Sequence, residues 1–122
     1  MNITTRTQGF EMSDAINQFV RRRLNTVLRR FDDDITAVDV YMKDENGPKG
    51  GVDKRVIIRV RLRNRQVFAV DTEREDLYAA MELGVKRTKR VIRRQLRKSR
   101  RVSRLSLRGR RDGADLTTIV PS

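Results

Sequence analysis

Residues 54–63, KRVIIRVRLR, alternate almost without exception. Val56, Ile58, Val60 and Leu62 fall on one side of an extended chain, and Arg55, Ile57, Arg59, Arg61 and Arg63 on the other. Successive side chains of a strand point to opposite faces, so this is a strand with one apolar and one wet face. A parallel sheet covered on both sides needs strands that are apolar on both faces, which excludes that architecture. The chain must cover one face of a sheet and leave the other to solvent. Its 122 residues suffice for one such domain with a core.

The remaining elements follow from period and punctuation. Asn2–Thr7 reads as a short edge strand with Ile3 and Thr5 on one face, followed by a turn over Gln8–Met12. Ser13 is an N-cap and Asp14 suits the first turn of a helix over about 13–31. Along it Ile16, Phe19, Val20, Leu24, Val27, Leu28 and Phe31 recur at three- and four-residue spacing. Asp32–Asp34 ends the helix. Three adjacent carboxylates cannot all converge on one ion without an unusual loop, so a solvated turn is expected rather than a metal site. Ile35–Lys43 alternates with Val38, Val40 and Met42 inward. Asp44–Asp53 (DENGPKGGVD) is a loop, and its GPKGG lacks the Gly-Lys-Ser/Thr of a phosphate-binding loop. Asn64 and Arg65 turn the chain into a last strand, Gln66–Thr72, with Phe68 and Val70 inward. The outward arginines of the third strand read as solvent-face charges, some opposite Asp39 or Asp71.

The second helix opens at Glu73, Glu75 and Asp76, acids that suit a helix N-terminus. Its apolar line is Leu77, Met81, Val85, Thr88, Ile92 and Leu96, supported by Ala80, Gly84 and Val91, so helical period persists from about 76 to at least 98. Gly84 lies on that face and points to close packing on the sheet. Nearly every position off the line is basic: Lys86, Arg87, Lys89, Arg90, Arg93, Arg94, Arg97 and Lys98. Beyond Ser99 the charge continues without a clear face, and Gly109 and Gly113 break the pattern. The expected fold is α+β, in the order β-α-β-β-β-α, with two helices packed on one face of a four-stranded antiparallel sheet. Residues 1–98 form the domain, and 99–122 a basic, flexible tail.

Charge then narrows the partner. Residues 86–111 hold 14 Lys or Arg and no acid, while the whole chain has a net charge of +13. Such a block repels itself unless an anionic partner is supplied. Arginine outnumbers lysine 23 to 6, and its planar fork suits bidentate phosphate contacts, which favours nucleic acid. With no cysteine and no histidine, the chain lacks disulfides, thiol chemistry, the usual zinc ligands and the commonest general base. No apolar run approaches the ~20 residues of a membrane span, and the N-terminus has no signal-peptide core. The expectation is a cytoplasmic, non-enzymatic protein with no cofactor, metal, membrane or small-molecule substrate.

Two segments carry a family resemblance. FEMSDAINQFVRRRL resembles the first helix of the ribosome hibernation-promoting factor and ribosome-associated inhibitor family, and EREDLYAAME (73–82) is similar to that family's strand-to-helix junction, E-x-x-D-M-Y-A-A-I-D. The resemblance covers roughly residues 1–98. It implies binding to small-subunit rRNA in the decoding channel, across the aminoacyl and peptidyl sites, where the family blocks messenger and transfer RNA in idle ribosomes. It also implies roles in RNA binding for Arg22, Arg23 and Arg29 of the first helix, and for Arg87, Arg90, Arg93 and Arg94 of the second; a further family lysine falls on Thr26 and is lost. The charge pattern adds Lys86, Lys89, Arg97 and Lys98. The chain departs from the family in having Lys86 where an acid is usual, a more basic second helix, and no second domain of the kind that pairs ribosomes, so no dedicated dimerisation domain is expected. Two other readings stay open. A double-stranded RNA-binding module shares the helix–three strands–helix order, but its lysines stand at the start of helix two, whereas Lys86 follows Asp76 by ten residues. A constitutive structural protein of the ribosome also tolerates a basic tail.

Overall fold

A computed structural model of the chain describes residues 1–44 and 53–109, the side chains of 101–109 excepted. The elements are β1 (Asn2–Gln8), α1 (Asp14–Leu28), a 3-10 turn (Arg29–Asp34), β2 (Ile35–Asp44), β3 (Lys54–Leu62), β4 (Val67–Arg74) and α2 (Leu77–Gly109). The expected order β-α-β-β-β-α is the observed one. The glycine-rich connection expected over Asp44–Asp53 lies, except for its two ends, outside the described residues.

The sheet runs β1-β2-β3-β4. It is mixed rather than antiparallel, because β1 pairs with β2 in parallel, Ile3 against Val38 and Thr5 against Val40. The cause is α1: a strand followed by a helix that crosses one face returns in the same direction, as in any βαβ unit. The other two pairs are antiparallel. Val38 faces Val60, Val40 faces Ile58 and Met42 faces Val56, and these side chains are fully buried. Both helices cover that face. Val20, Leu24 and Leu28 of α1 join Ala80, Met81, Val85 and Ile92 of α2 and the inward strand residues in one cluster. Each fully buried Leu or Ile there contributes roughly 1.5–3 kcal/mol.

Local chemistry sets the boundaries. The Ser13 hydroxyl oxygen accepts from the Ile16 amide at 3.1 Å, capping α1 as expected. The α-helix closes at Leu28, three residues before the expected end. The tighter 3-10 turn then rotates Phe31 into the core, where it is 8% exposed. At the β3–β4 turn Arg65 adopts φ +74°, and the Asn64 side-chain oxygen accepts from the Gln66 amide at 3.0 Å. Glu73 is a strand residue opposite Arg55 rather than part of the helix start, and Asp76 alone caps α2, accepting from the amides of Tyr78 at 3.4 Å and Ala79 at 3.3 Å. Beside the glycine-rich connection, Lys54 Nζ lies 2.9 Å from Asp53 Oδ1 and 3.3 Å from Asp44 Oδ1. The Asp53 hydrogen bond first, and Asp44 after it, raise the Lys54 pKa above the ordinary lysine value against the effect of burial.

α2 is the longest element. Its 33 residues span about 50 Å. Helical backbone continues past Lys98 to Gly109, the last of the described residues. Gly84 lies against the sheet, where an added Cβ would stand 3.0 Å from Ile58 Cδ1 and 3.3 Å from Thr72 Oγ1.

Candidate nucleic-acid interface

α1 and α2 lie side by side and point the same way. Two contacts, both between residues 59 apart, fix this arrangement. The rings of Phe19 and Tyr78 meet edge to face with centroids 4.7 Å apart, and one turn on Arg23 reaches Glu82. Farther along, the 3-10 turn after α1 meets α2 near Leu96. The two helices therefore form one outer surface, with the sheet beneath.

The cations of α2 crown this surface. Lys86, Arg90, Arg93, Arg94, Arg97 and Lys98 are exposed, and Arg87 and Lys89 are half-buried. Every residue of the expected apolar line faces inward, with Thr88 and Ile92 at 0% exposure. The same packing that buries that line forces the basic residues outward. Among the described residues, none of these eight makes an ion pair with a carboxylate. The six exposed ones present their charge to solvent. A rigid helix carrying unneutralised cations suits phosphate recognition by shape and backbone.

The α1 residues divide. Arg22 is exposed. Arg29 is exposed at the start of the 3-10 turn, beside Asn25, Thr26 and Asp32, and the last of these pairs with the Met1 ammonium at 3.3 Å. Arg23 is already engaged, with Nε 2.6 Å from Glu82 Oε1 and Nη2 3.1 Å from Oε2. Its first partner is α2, which the local sequence could not disclose.

The opposite sheet face is charged, and one of its β3 arginines is paired. Arg59 is exposed and stands across from Asp39 in the β2–β3 register, and Asp39 accepts from the Thr4 hydroxyl. Arg55 grips Asp71 through two nitrogens. The Arg55–Asp71 pair is of the kind expected for solvent-face charges. Arg61 and Arg63 remain exposed there.

A polar network missing from the sequence reading holds the distal half of α2. Gln66 Nε2 donates to Gln95 Oε1 at 2.8 Å, both residues being buried. Asn64 Nδ2 donates to Gln66 Oε1 at 2.9 Å and to Ser99 Oγ at 3.0 Å. The β3–β4 turn is thereby bonded to α2 between Arg93 and Arg100, fixing the helix that carries the cations. Among the described residues no set of His, Cys, Asp or Glu is placed to hold a metal ion, and no helix is long and apolar enough to cross a membrane.

The family model described as sigma 54 modulation protein / S30EA ribosomal protein matches residues 2–100. The chain belongs to this family. That is the family the resemblance indicated, and it is not a family of enzymes. A comparison with curated proteins finds no match. Among solved structures, the Protein Y N-terminal domain of Thermus thermophilus is similar at 28% identity and a TM-score of 0.64, over 77% of this chain and 98% of that one. A ribosomal subunit interface protein from Coxiella burnetii shares the fold at a TM-score of 0.68 and 18% identity, over 78% and 97% of the two chains. The family match ends at residue 100, so the distal turns of α2 lie beyond it.

Proposed function

We propose that this protein is a ribosome hibernation factor. It docks its two-helix surface on small-subunit rRNA in the decoding channel and blocks messenger and transfer RNA in idle ribosomes. The observation that carries this reading is the row of exposed, unpaired cations on α2, held rigid by the core, in a chain of the S30EA family. Arg22, Arg29, Lys86, Arg87, Lys89, Arg90, Arg93, Arg94, Arg97 and Lys98 make the phosphate contacts, Arg23 contributes only when released from Glu82, and residues 1–98 are the binding unit. If ~6–10 phosphates are neutralised, binding is strong and falls steeply with salt.

Helix-borne cations supply no chemistry of their own, so the mechanism is occlusion: the protein fills space that the messenger and transfer RNAs require. Sucrose-gradient fractionation of growing and starved cells tests this. The protein is expected on ribosomes from starved cells and scarce on those from growing cells. Equal occupancy in both would instead mark a constitutive ribosomal component, and absence from ribosomal fractions at low salt would remove the ribosome from the account.

A further inference from the structure

The 3-10 turn and α2 enclose an open hollow of about 350 Å³ between them, lined by Arg30, Phe31, Arg93, Leu96, Arg97 and Arg100. Phe31 and Leu96, each 8% exposed, form its floor. The rest of its lining is four arginines, and among the described residues no Asp or Glu lines it. The size is at the lower end of small-ligand sites. Arg30 and Arg100 belong to neither helix pattern read from the sequence, and only the packing of the turn on α2 brings them to Arg93 and Arg97.

Two details narrow the occupant. The Arg30 guanidinium carbon stands over the Phe31 ring, 5.5 Å from its centre, a cation–π contact that helps to hold the group at the hollow. The Arg30 side chain is exposed, and unpaired RNA bases stack on guanidinium planes. Arg93, Arg97 and Arg100 follow at i, i+4 and i+7, rising about 10 Å along α2, which spreads positive charge along a line rather than at a point. An open hollow with charge in a row suits a chain that enters and leaves. A base within a duplex cannot reach the floor, because its faces are already stacked.

We propose that this hollow receives one unpaired nucleotide of RNA, its base on Arg30 and its flanking phosphates on Arg93, Arg97 and Arg100. The inference rests on the rRNA-binding reading above and adds to it a preference for unpaired RNA and two residues, Arg30 and Arg100.

The test uses the full chain and two RNAs of equal length, a stem-loop with 2-aminopurine at one unpaired position and a continuous duplex. The wild-type chain is expected to bind the stem-loop more tightly and to change the 2-aminopurine fluorescence. Arg30→Lys keeps the charge but removes the plane, so it should retain the salt dependence, lose the fluorescence change and lose roughly tenfold in preference for the stem-loop. Arg100→Ala should weaken both RNAs and lower the salt slope by about 1. Unaltered preference and fluorescence in Arg30→Lys would overturn the inference, as would adenosine monophosphate binding as tightly as the stem-loop, which would mark a free-nucleotide pocket. If wild type binds small subunits but does not distinguish the two RNAs, this inference fails and the functional reading stands. If it does not bind small subunits, both fail.

Discussion

Arg23 and Glu82 face each other across the seam between α1 and α2, with Nε to Oε1 at 2.6 Å and Nη2 to Oε2 at 3.1 Å. Both side chains are about a third or more exposed, at 33% and 42%, so water screens the pair. The expected cost of Glu82→Gln is therefore under about 1 kcal/mol of stability. Its effect on binding should be larger and opposite in sense. Releasing Arg23 adds a cation to the surface, so the salt slope of RNA binding should steepen by about 0.7–0.9 and affinity at low salt should rise. Filter binding across a salt series, beside urea denaturation, measures both.

The charge of α2 makes a second prediction. Arg90 and Arg94 are exposed and pair with no carboxylate among the described residues, so reversing both to Glu should leave the fold intact. Binding to small subunits should weaken at least tenfold, and the salt slope should fall by about 2. Circular dichroism and a denaturation midpoint distinguish lost contacts from lost structure; unfolding would make the two arginines structural.

Two glycines should respond differently to the same substitution. Gly9 has φ +88°, and a Cβ there would lie 2.4 Å from the backbone oxygen of Asp44. Neither the strained backbone nor the carbonyl can yield cheaply, so Gly9→Ala should cost about 2–4 kcal/mol. At Gly84 the nearest atom is the end of the Ile58 side chain, and alanine gains about 1 kcal/mol in helix propensity. Gly84→Ala should stay within about 1 kcal/mol of wild type, whereas the bulkier Gly84→Val should not. Urea midpoints decide each case.

The Gln66–Gln95 bond gives a double-mutant test. Gln95→Leu leaves the Gln66 amide buried without its acceptor and should cost about 1–3 kcal/mol. Replacing both by Leu should recover much of that loss. Amide exchange in the distal turns of α2 should quicken in the single variant, because the tie to the β3–β4 turn is gone.

What the sequence disclosed depended on whether a feature was local. The alternation in β3 and the apolar line of α2 are periodic, and each needs only one buried face to be read, so strands, helices and inward residues were legible. The eight cations of α2 were legible for the same reason, since they occupy the positions the core does not. The parallel pairing of β1 is not legible in the alternation, because one wet sheet face suits antiparallel strands throughout; the helix between β1 and β2 sets the direction instead. Arg23 with Glu82 and Gln66 with Gln95 are contacts between remote residues, and Arg30 and Arg97 meet only as linings of one hollow. Nothing in the immediate neighbourhood of either partner marks the other.

Purified small subunits offer the most direct measurement of the central claim. Transfer RNA binding to programmed subunits is followed while the protein is added at low salt. The account predicts that wild type displaces transfer RNA from the peptidyl site as it saturates the subunit, and that the double reversal at Arg90 and Arg94 requires at least tenfold more protein to do so. Subunits saturated with wild-type protein that still bind messenger and transfer RNA with unchanged affinity would contradict it.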